Sequence, residues 1–125
     1  MISVVVPTYK EEGNLQELFR RIDSSLEGRE YEIVLVDDNS PDGTAERARE
    51  LSDEYPVNVF VREEDFGLSQ SVIRGFREAE GDQVVVMDAD LQHPPEKIPY
   101  LLAELDERDM AIGSRFKASG SVEGW

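Results

Sequence analysis

Asp88, Asp90 and Gln92 are spaced by two in the stretch VVVMDADLQHPP (Val84 to Pro95), directly after four apolar side chains. A core-like run that ends in carboxylates needs a reason, because an unpaired charge is costly to bury. If the chain stays extended past the run, side chains two apart share one side. All three oxygens would then face the same point. Two carboxylates and an amide oxygen are hard donors, suited to Mg²⁺ or Mn²⁺ rather than zinc. Without a cation the two carboxylates repel, and one of them holds its proton to higher pH. The plainer alternative is that these residues only cap the following turn, and it applies to Gln92 as well.

The elements around this motif must place it. Ile2 to Pro7 is a β-branched run and reads as a buried strand. EIVLVD (Glu32 to Asp37), VNVFV (Val57 to Val61) and QVVVMD (Gln83 to Asp88) read the same way, with MAIGS (Met110 to Ser114) as a short fifth strand. Between them lie apolar residues at helical spacing: Leu15, Leu18, Phe19, Ile22 and Leu26; then Ala45, Ala48 and Leu51; then Leu68, Val72, Ile73, Phe76 and Ala79; then Ile98, Leu101, Leu102 and Leu105. Asn14 and Thr44 stand where N-caps belong, and Pro94-Pro95 suits a first helical turn. The Gly-rich tail KASGSVEGW reads as loop. Strand and helix alternate four times and end on a strand. The expected fold is therefore α/β and Rossmann-like, with a mostly parallel sheet, helices on both faces and right-handed crossovers. Residues 1–125 form one domain by length.

In such sheets ligands bind beyond the carboxyl ends of the strands. The first strand delivers Thr8, Tyr9, Lys10, Glu11 and Glu12 there, and the second Asp37, Asp38 and Asn39. The third delivers Arg62, the fourth Asp88, Asp90 and Gln92, and the fifth Ser114 and Arg115. Polar clusters converging from every strand make a site. The first turn, PTYKEEGN, lacks both the G-x-G-x-x-G and the G-x-x-x-x-G-K-[ST] glycines that cradle phosphates. That sets aside dinucleotide oxidoreductases and P-loop NTPases. Tyr9 can instead contact a base, while Glu11 or Asp38 accepts hydrogen bonds from ribose hydroxyls or base N–H groups. With a carboxylate-bound cation on the phosphates, this describes a nucleoside diphosphate held through metal. Arg115 supplies a fixed positive charge suited to phosphate. Arg62 stands open between a site-facing charge and a surface ion pair, and His93 reads as a helix-entry surface residue.

The formal net charge of −15 removes other partners, since nucleic acids and anionic membranes are held by Lys and Arg. Such acidity is either an ordinary surface or adaptation to a salty cytosol that screens self-repulsion. No cysteine is present, which excludes disulfides and thiolate chemistry. The N-terminal MISVVVPTYK has no basic region, and its apolar run is far shorter than the ~20 residues of a membrane span. The chain reads as soluble and cytoplasmic.

Together VVVPTYKEEGNL, VLVDDNSPDGT, GLSQSVIRGFREAEGD, VMDADLQHPPE and GSRF…VEGW resemble the inverting glycosyltransferases of family 2, with the GT-A fold. The likeness is strongest to the dolichyl-phosphate (polyprenyl-phosphate) mannose synthase branch. It implies that Pro7, Tyr9, Glu11, Val36 and Asp38 hold the nucleoside. It further implies that Asp88, Asp90 and Gln92 meet metal and donor diphosphate, and that Arg115 meets phosphate; Asp90 and Arg115 are then the catalytic pair. The implied reaction moves mannose from GDP-mannose to a polyprenyl phosphate at the cytoplasmic face of a membrane. Related catalytic domains run well past VEGW, so the chain is expected to be part of a longer one lacking the C-terminal region of the domain. Exposed apolar surface would then favour self-association. Two alternatives stand beside this reading: a non-catalytic nucleotide-sugar module, and a UDP-sugar transferase of the same family. An Asp-nucleophile phosphatase fits poorly, because its D-x-D follows the first strand and not the fourth. Glu104, Asp106 and Glu107 read as a solvated face and supply no general base.

Overall fold

The computed structural model describes residues 1–64, 67–91, 94–103 and 110–112, with 68, 101 and 110–112 described through the backbone. Gln92, His93, Glu104, Asp106, Glu107, Arg115 and Trp125 lie outside the described residues. Five strands form one sheet in the order β3-β2-β1-β4-β5, and every neighbouring pair is parallel. They are β1 (Ile2–Thr8), β2 (Tyr31–Asp37), β3 (Val57–Val61), β4 (Gln83–Val86) and β5 (Met110–Ile112). The connecting helices are α1 (Leu15–Ser25), α2 (Thr44–Leu51), α3 (Leu68–Glu78) and α4 (Ile98–Ala103), the last entered through a 3₁₀ turn at Pro95–Lys97. Among these helices none is long and apolar enough to cross a membrane.

The β-branched runs are apolar at most positions because both faces of the sheet are covered; Ser3, Glu32 and Asn58 interrupt them. Successive side chains alternate between two cores. Val4, Val6, Ile33, Leu35, Val85 and Met87 pack against Leu15, Leu18, Phe19 and Ile22 of α1, Ala48 and Leu51 of α2, and Ile98 and Leu102 of α4. Val5, Val34, Val36 and Val86 face the other way, onto Val72 and Phe76 of α3. The sheet grows from β1 through β2 to β3 with helices on one side. It then jumps back to β4 with α3 on the other side, so these three crossovers share one hand, while α4, which leads on to β5, lies on the α1 side.

Both expected helix caps are corrected. Asn14 precedes α1 but makes no capping bond; its amide donates to the Glu11 carboxylate at 2.7 Å. Thr44 is the first residue of α2 rather than its cap, and its hydroxyl donates to Asp42. In both cases the side chain is committed to the loops at the carboxyl edge instead of to its helix.

The opposite edge is closed by a buried polar cluster that the sequence reading did not single out. Ser3 donates to Glu32 at 2.6 Å, and the backbone N–H of Glu80 donates to the same carboxylate oxygen at 2.7 Å. The Gly81 N–H donates to the Ser3 hydroxyl at 2.8 Å. This pins the turn into β4 against the start of β1. Glu32→Ala leaves buried donors without an acceptor, and hydrogen bonds to a charged group are worth about 1.5–3 kcal/mol each. The variant is expected to lose about 3 kcal/mol of stability, measured as a fall in urea midpoint without a change in slope.

Candidate nucleotide and metal site at the carboxyl edge

β1 is bonded to β2 through Thr8 but to β4 only as far as Val5. The Met87 N–H donates to Val5 O at 3.1 Å, while the Asp38 N–H donates to Thr8 O at 3.1 Å. Odd-numbered residues of β1 therefore point their backbone groups toward β4 and even-numbered ones toward β2. Pro7 falls on the β4 side, just past the last paired residue. A proline is tolerated there because its missing N–H has no ladder partner. β4 and β1 part at this point, and chain order reverses across the same gap, which is where open sheets bind ligands.

Three non-glycine residues with positive φ sit on this edge: Lys10 (58°) after β1, Asn39 (55°) after β2 and Leu91 (64°) after β4. Left-handed backbone at a side-chain-bearing residue costs energy and clusters where geometry is imposed for function. The turn at Leu91 also corrects an expectation. β4 ends at Val86, two residues before Asp88, and the extended course breaks at Leu91. Asp88 is half-buried, Ala89 buried and Asp90 exposed, so the alternation that puts both aspartates on one side survives only that far.

The loops after β1 and β2 are tied together. The Lys10 N–H donates to Ser40 Oγ at 2.9 Å, the Glu11 N–H to Thr44 Oγ1 at 3.0 Å, and the Gly43 N–H to Glu12 Oε1 at 3.0 Å. Asp37 is fully buried and committed to this job. It accepts from Thr8 Oγ1 at 2.8 Å and from the backbone and hydroxyl of Ser40 at 2.8 and 2.6 Å. Asp38 turns the other way. It accepts from Ser71 Oγ at 2.7 Å, from the Gly67 N–H at 2.9 Å and from Arg62 at 3.4 Å. Arg62 is buried rather than in a surface pair, and it forms an ion pair with Asp38 on the cavity wall.

A cavity of about 170 Å³ opens beside Asp38, lined by Pro7, Thr8, Tyr9, Asp38 and Ser71. It gathers three of the five residues expected to hold a nucleoside. Tyr9 is 52% exposed, with the Lys10 ammonium 5.4 Å from its ring centre. Val36 is not in the lining; its side chain is wholly buried in the α3-side core, which leaves at most its backbone for a ligand. Ser71 is the residue that sequence reasoning missed. The available signal was a serine on the apolar face of α3, next to Val72 and one turn before Gly75.

Glu11 connects the two halves of the site electrostatically. Its carboxyl is pushed above the ordinary glutamate range, first by partial burial and then by the negative charges of Asp90, Asp88 and Asp42, against a lowering hydrogen bond from Asn14. The carboxylates after β1 and β4 thus share one electrostatic field. A raised carboxyl favours the folded state below the ordinary glutamate pKa, and that contribution is lost as pH rises through the raised value. Ionised Glu11 therefore costs stability at neutral pH. Glu11→Gln, which can still accept from Asn14, is expected to raise the melting temperature at pH 7 and to leave it unchanged near pH 4. Thermal melts across that range measure it; an equal gain at both pH values would sink the charge explanation.

Among the described residues no three carboxylates or imidazoles come together as a cation cage. Asp88 and Asp90 offer two. Mg²⁺ and its relatives are commonly held by one or two carboxylates plus substrate phosphates rather than by protein alone. The donor set fits a cation that arrives with a diphosphate.

The sequence profile of glycosyl transferase family 2 matches residues 3–125. This chain belongs to glycosyltransferase family 2. It is 59% identical over 99% of its length to a dolichol-phosphate mannosyltransferase of Pyrococcus furiosus, covering 36% of that protein. It is 41% identical over 97% of its length to the dolichol-phosphate mannosyltransferase of Saccharomyces cerevisiae, covering 47%. The chain thus spans about a third to a half of these relatives. Among solved structures, a mannosyltransferase of Pyrobaculum calidifontis in complex with GDP-Man and Mn²⁺ superposes with a TM-score of 0.68 at 29% identity, over 82% of this chain and 30% of that one. The 1–349 portion of S. aureus TarS gives 0.69 at 28% identity, over 82% and 31%. The parallel sheet with helices on both faces is therefore the glycosyltransferase fold that the motifs implied.

Proposed function

We propose that this chain is the donor-binding part of an inverting, metal-dependent mannosyltransferase that moves mannose from GDP-mannose to a polyprenyl phosphate at the cytoplasmic face of a membrane. The observation that carries the proposal is the convergence on one sheet edge of the Pro7–Tyr9–Asp38 cavity and the Asp88–Asp90 pair, with Glu11 electrostatically coupled to both aspartates. The family membership, and similarity to proteins named as dolichol-phosphate mannosyltransferases, support the choice of sugar and acceptor.

Each residue then has a task. Asp38, fixed by Ser71, Gly67 and Arg62, accepts from the base, and Tyr9 flanks it. Glu11 accepts from ribose. Asp90 and Asp88 hold a Mg²⁺ or Mn²⁺ that neutralises the leaving diphosphate when bound. Gln92 and Arg115 are assigned to the diphosphate and to phosphate by their motifs. The acceptor phosphate is largely ionised at pH 7, its second pKa being about 6. An acceptor oxygen forms the new bond to the anomeric carbon from the side opposite GDP. The anomeric carbon–oxygen bond breaks, and its electron pair leaves with GDP. No general base is required, because the acceptor is already an anion.

Calorimetric titration with GDP and UDP, with and without Mn²⁺ and in high-salt buffer, tests the reading. Metal-dependent binding that favours GDP is expected. Preference for UDP would keep the fold and change the donor. Absence of binding by folded protein would overturn the nucleotide assignment. Product formation from labelled GDP-mannose and a polyprenyl phosphate separates a transferase from a module that only binds.

A further inference from the structure

Apart from Tyr9, whose hydroxyl can donate, the side chains lining the cavity beside Asp38 present hydrogen-bond acceptors. Pro7 has no N–H. The Thr8 hydroxyl gives its proton to Asp37 at 2.8 Å, and the Ser71 hydroxyl gives its proton to Asp38 at 2.7 Å. A hydroxyl has one proton and two lone pairs, so both can only accept from a ligand. An ionised carboxylate has about four acceptor positions. Ser71, Arg62 and Gly67 occupy three of those on Asp38, two on Oδ1 and one on Oδ2. One position on Oδ2 is left, and the Ser71 oxygen lies 2.7 Å from Oδ1 of the same carboxylate. Ser71 is 2% exposed in the protein and still lines the cavity, so its oxygen is held rigidly at the wall.

We propose that Ser71 is a specificity residue for the nucleotide base, taking with Asp38 the two adjacent N–H donors of a guanine edge. The proposal rests on the nucleotide reading of this edge. A guanine presents its ring N–H and its exocyclic amine side by side, and the two acceptors match them. A uracil presents one N–H between two carbonyls. Whichever way it enters, a carbonyl oxygen meets an acceptor whose proton is already committed, and neither is satisfied. Rejecting a partner by leaving buried polar groups unpaired is stronger than rewarding the right one. Asp38 alone does not make this distinction, because one carboxylate position reads one N–H and both bases have one.

Inosine diphosphate isolates the effect, since it keeps the ring N–H and lacks the exocyclic amine. Titrations of GDP, inosine diphosphate and UDP in the presence of Mn²⁺ are made on the unaltered chain, on Ser71→Ala and on Ser71→Thr. The unaltered chain is expected to bind GDP about 10-fold more tightly than inosine diphosphate, the worth of one good hydrogen bond. Ser71→Ala is expected to bring that ratio close to one, and Ser71→Thr to keep it. Equal affinity of the unaltered chain for GDP and inosine diphosphate overturns the proposal with no variant needed. So does a Ser71→Ala protein that weakens both ligands by the same factor, which would make Ser71 a packing residue. If the folded unaltered chain binds none of the three, the nucleotide reading itself falls.

Discussion

Gly75→Ala is expected to destabilise the protein by about 2 kcal/mol, although alanine is the better helix former. A methyl group at this position would lie 2.2 Å from Cγ1 of Val5 and 3.2 Å from its Cγ2. Helix propensity favours the change by about 1 kcal/mol. Overpacking a close-packed core costs about 1–3 kcal/mol, with the upper end reached where nothing can move. Val5 is such a place: it is fully buried in the central strand, bonded to β2 on one side and β4 on the other. The clash therefore wins. In a Val5→Ala background the same substitution is expected to be neutral or stabilising, because both clashing methyls are gone and Cβ at 3.3 Å is all of that side chain that remains. The coupling between the two sites should be about 2–3 kcal/mol in a double-mutant cycle read from urea midpoints. A stabilising Gly75→Ala in the unaltered background would mean α3 lies further from β1 than described. The consequence reaches the site, since Ser71 and Gly75 are four residues apart on one helical face. The glycine lets that face drop onto β1, and the same approach lets Ser71 reach Asp38.

The fold was legible because its signals are redundant. The runs at Ile2, Ile33, Val57 and Val84 are apolar at nearly every position rather than at alternate ones, which a strand covered on both faces requires, and the spacing around Phe19 and Phe76 is helical. Asp38 and the Asp88–Asp90 pair were legible because carboxylates that end buried runs need an explanation. The caps were not legible, since Asn14 and Thr44 suit a helix start equally well whether they bond to it or to a neighbouring loop. That choice is made by Glu11 and Asp42, three and two residues earlier in the preceding loops. Ser71 and Glu32 were missed for a related reason: a single polar residue in an apolar pattern reads as a tolerated exception until its partner, 33 or 29 residues away, is seen beside it. Val36 shows the opposite failure. The motif assigns it to the nucleoside, while its valine side chain serves the core, so the motif and the packing account for different atoms of one residue.

Asp90→Asn should separate metal binding from nucleotide binding more sharply than any other single change. The substitution keeps the size of the side chain and removes its charge. Losing a residue that only supports a metal ligand costs about 10–100-fold in affinity, so losing a ligand itself should cost about 100-fold or more in the metal-dependent part of GDP affinity. GDP binding measured with the metal removed should change little or improve, because the variant also removes one of the negative charges that raise the Glu11 carboxyl. The same relief predicts that the ligand-free variant melts higher than the parent at pH 7. Turnover, where it can be followed, should fall at least as far as the metal-dependent affinity, since the charge on the leaving diphosphate goes unneutralised. Three titrations decide the matter: GDP with Mn²⁺, GDP with chelator, and Mn²⁺ at saturating GDP. A loss of equal size with and without metal would place Asp90 against the nucleotide and not against the cation, and Asp88 would then be the ligand to test next. A metal-dependent loss together with a higher melting temperature fits one physical picture. The charges of Asp88 and Asp90 raise the Glu11 carboxyl, and a cation arriving with the diphosphate would offset that repulsion.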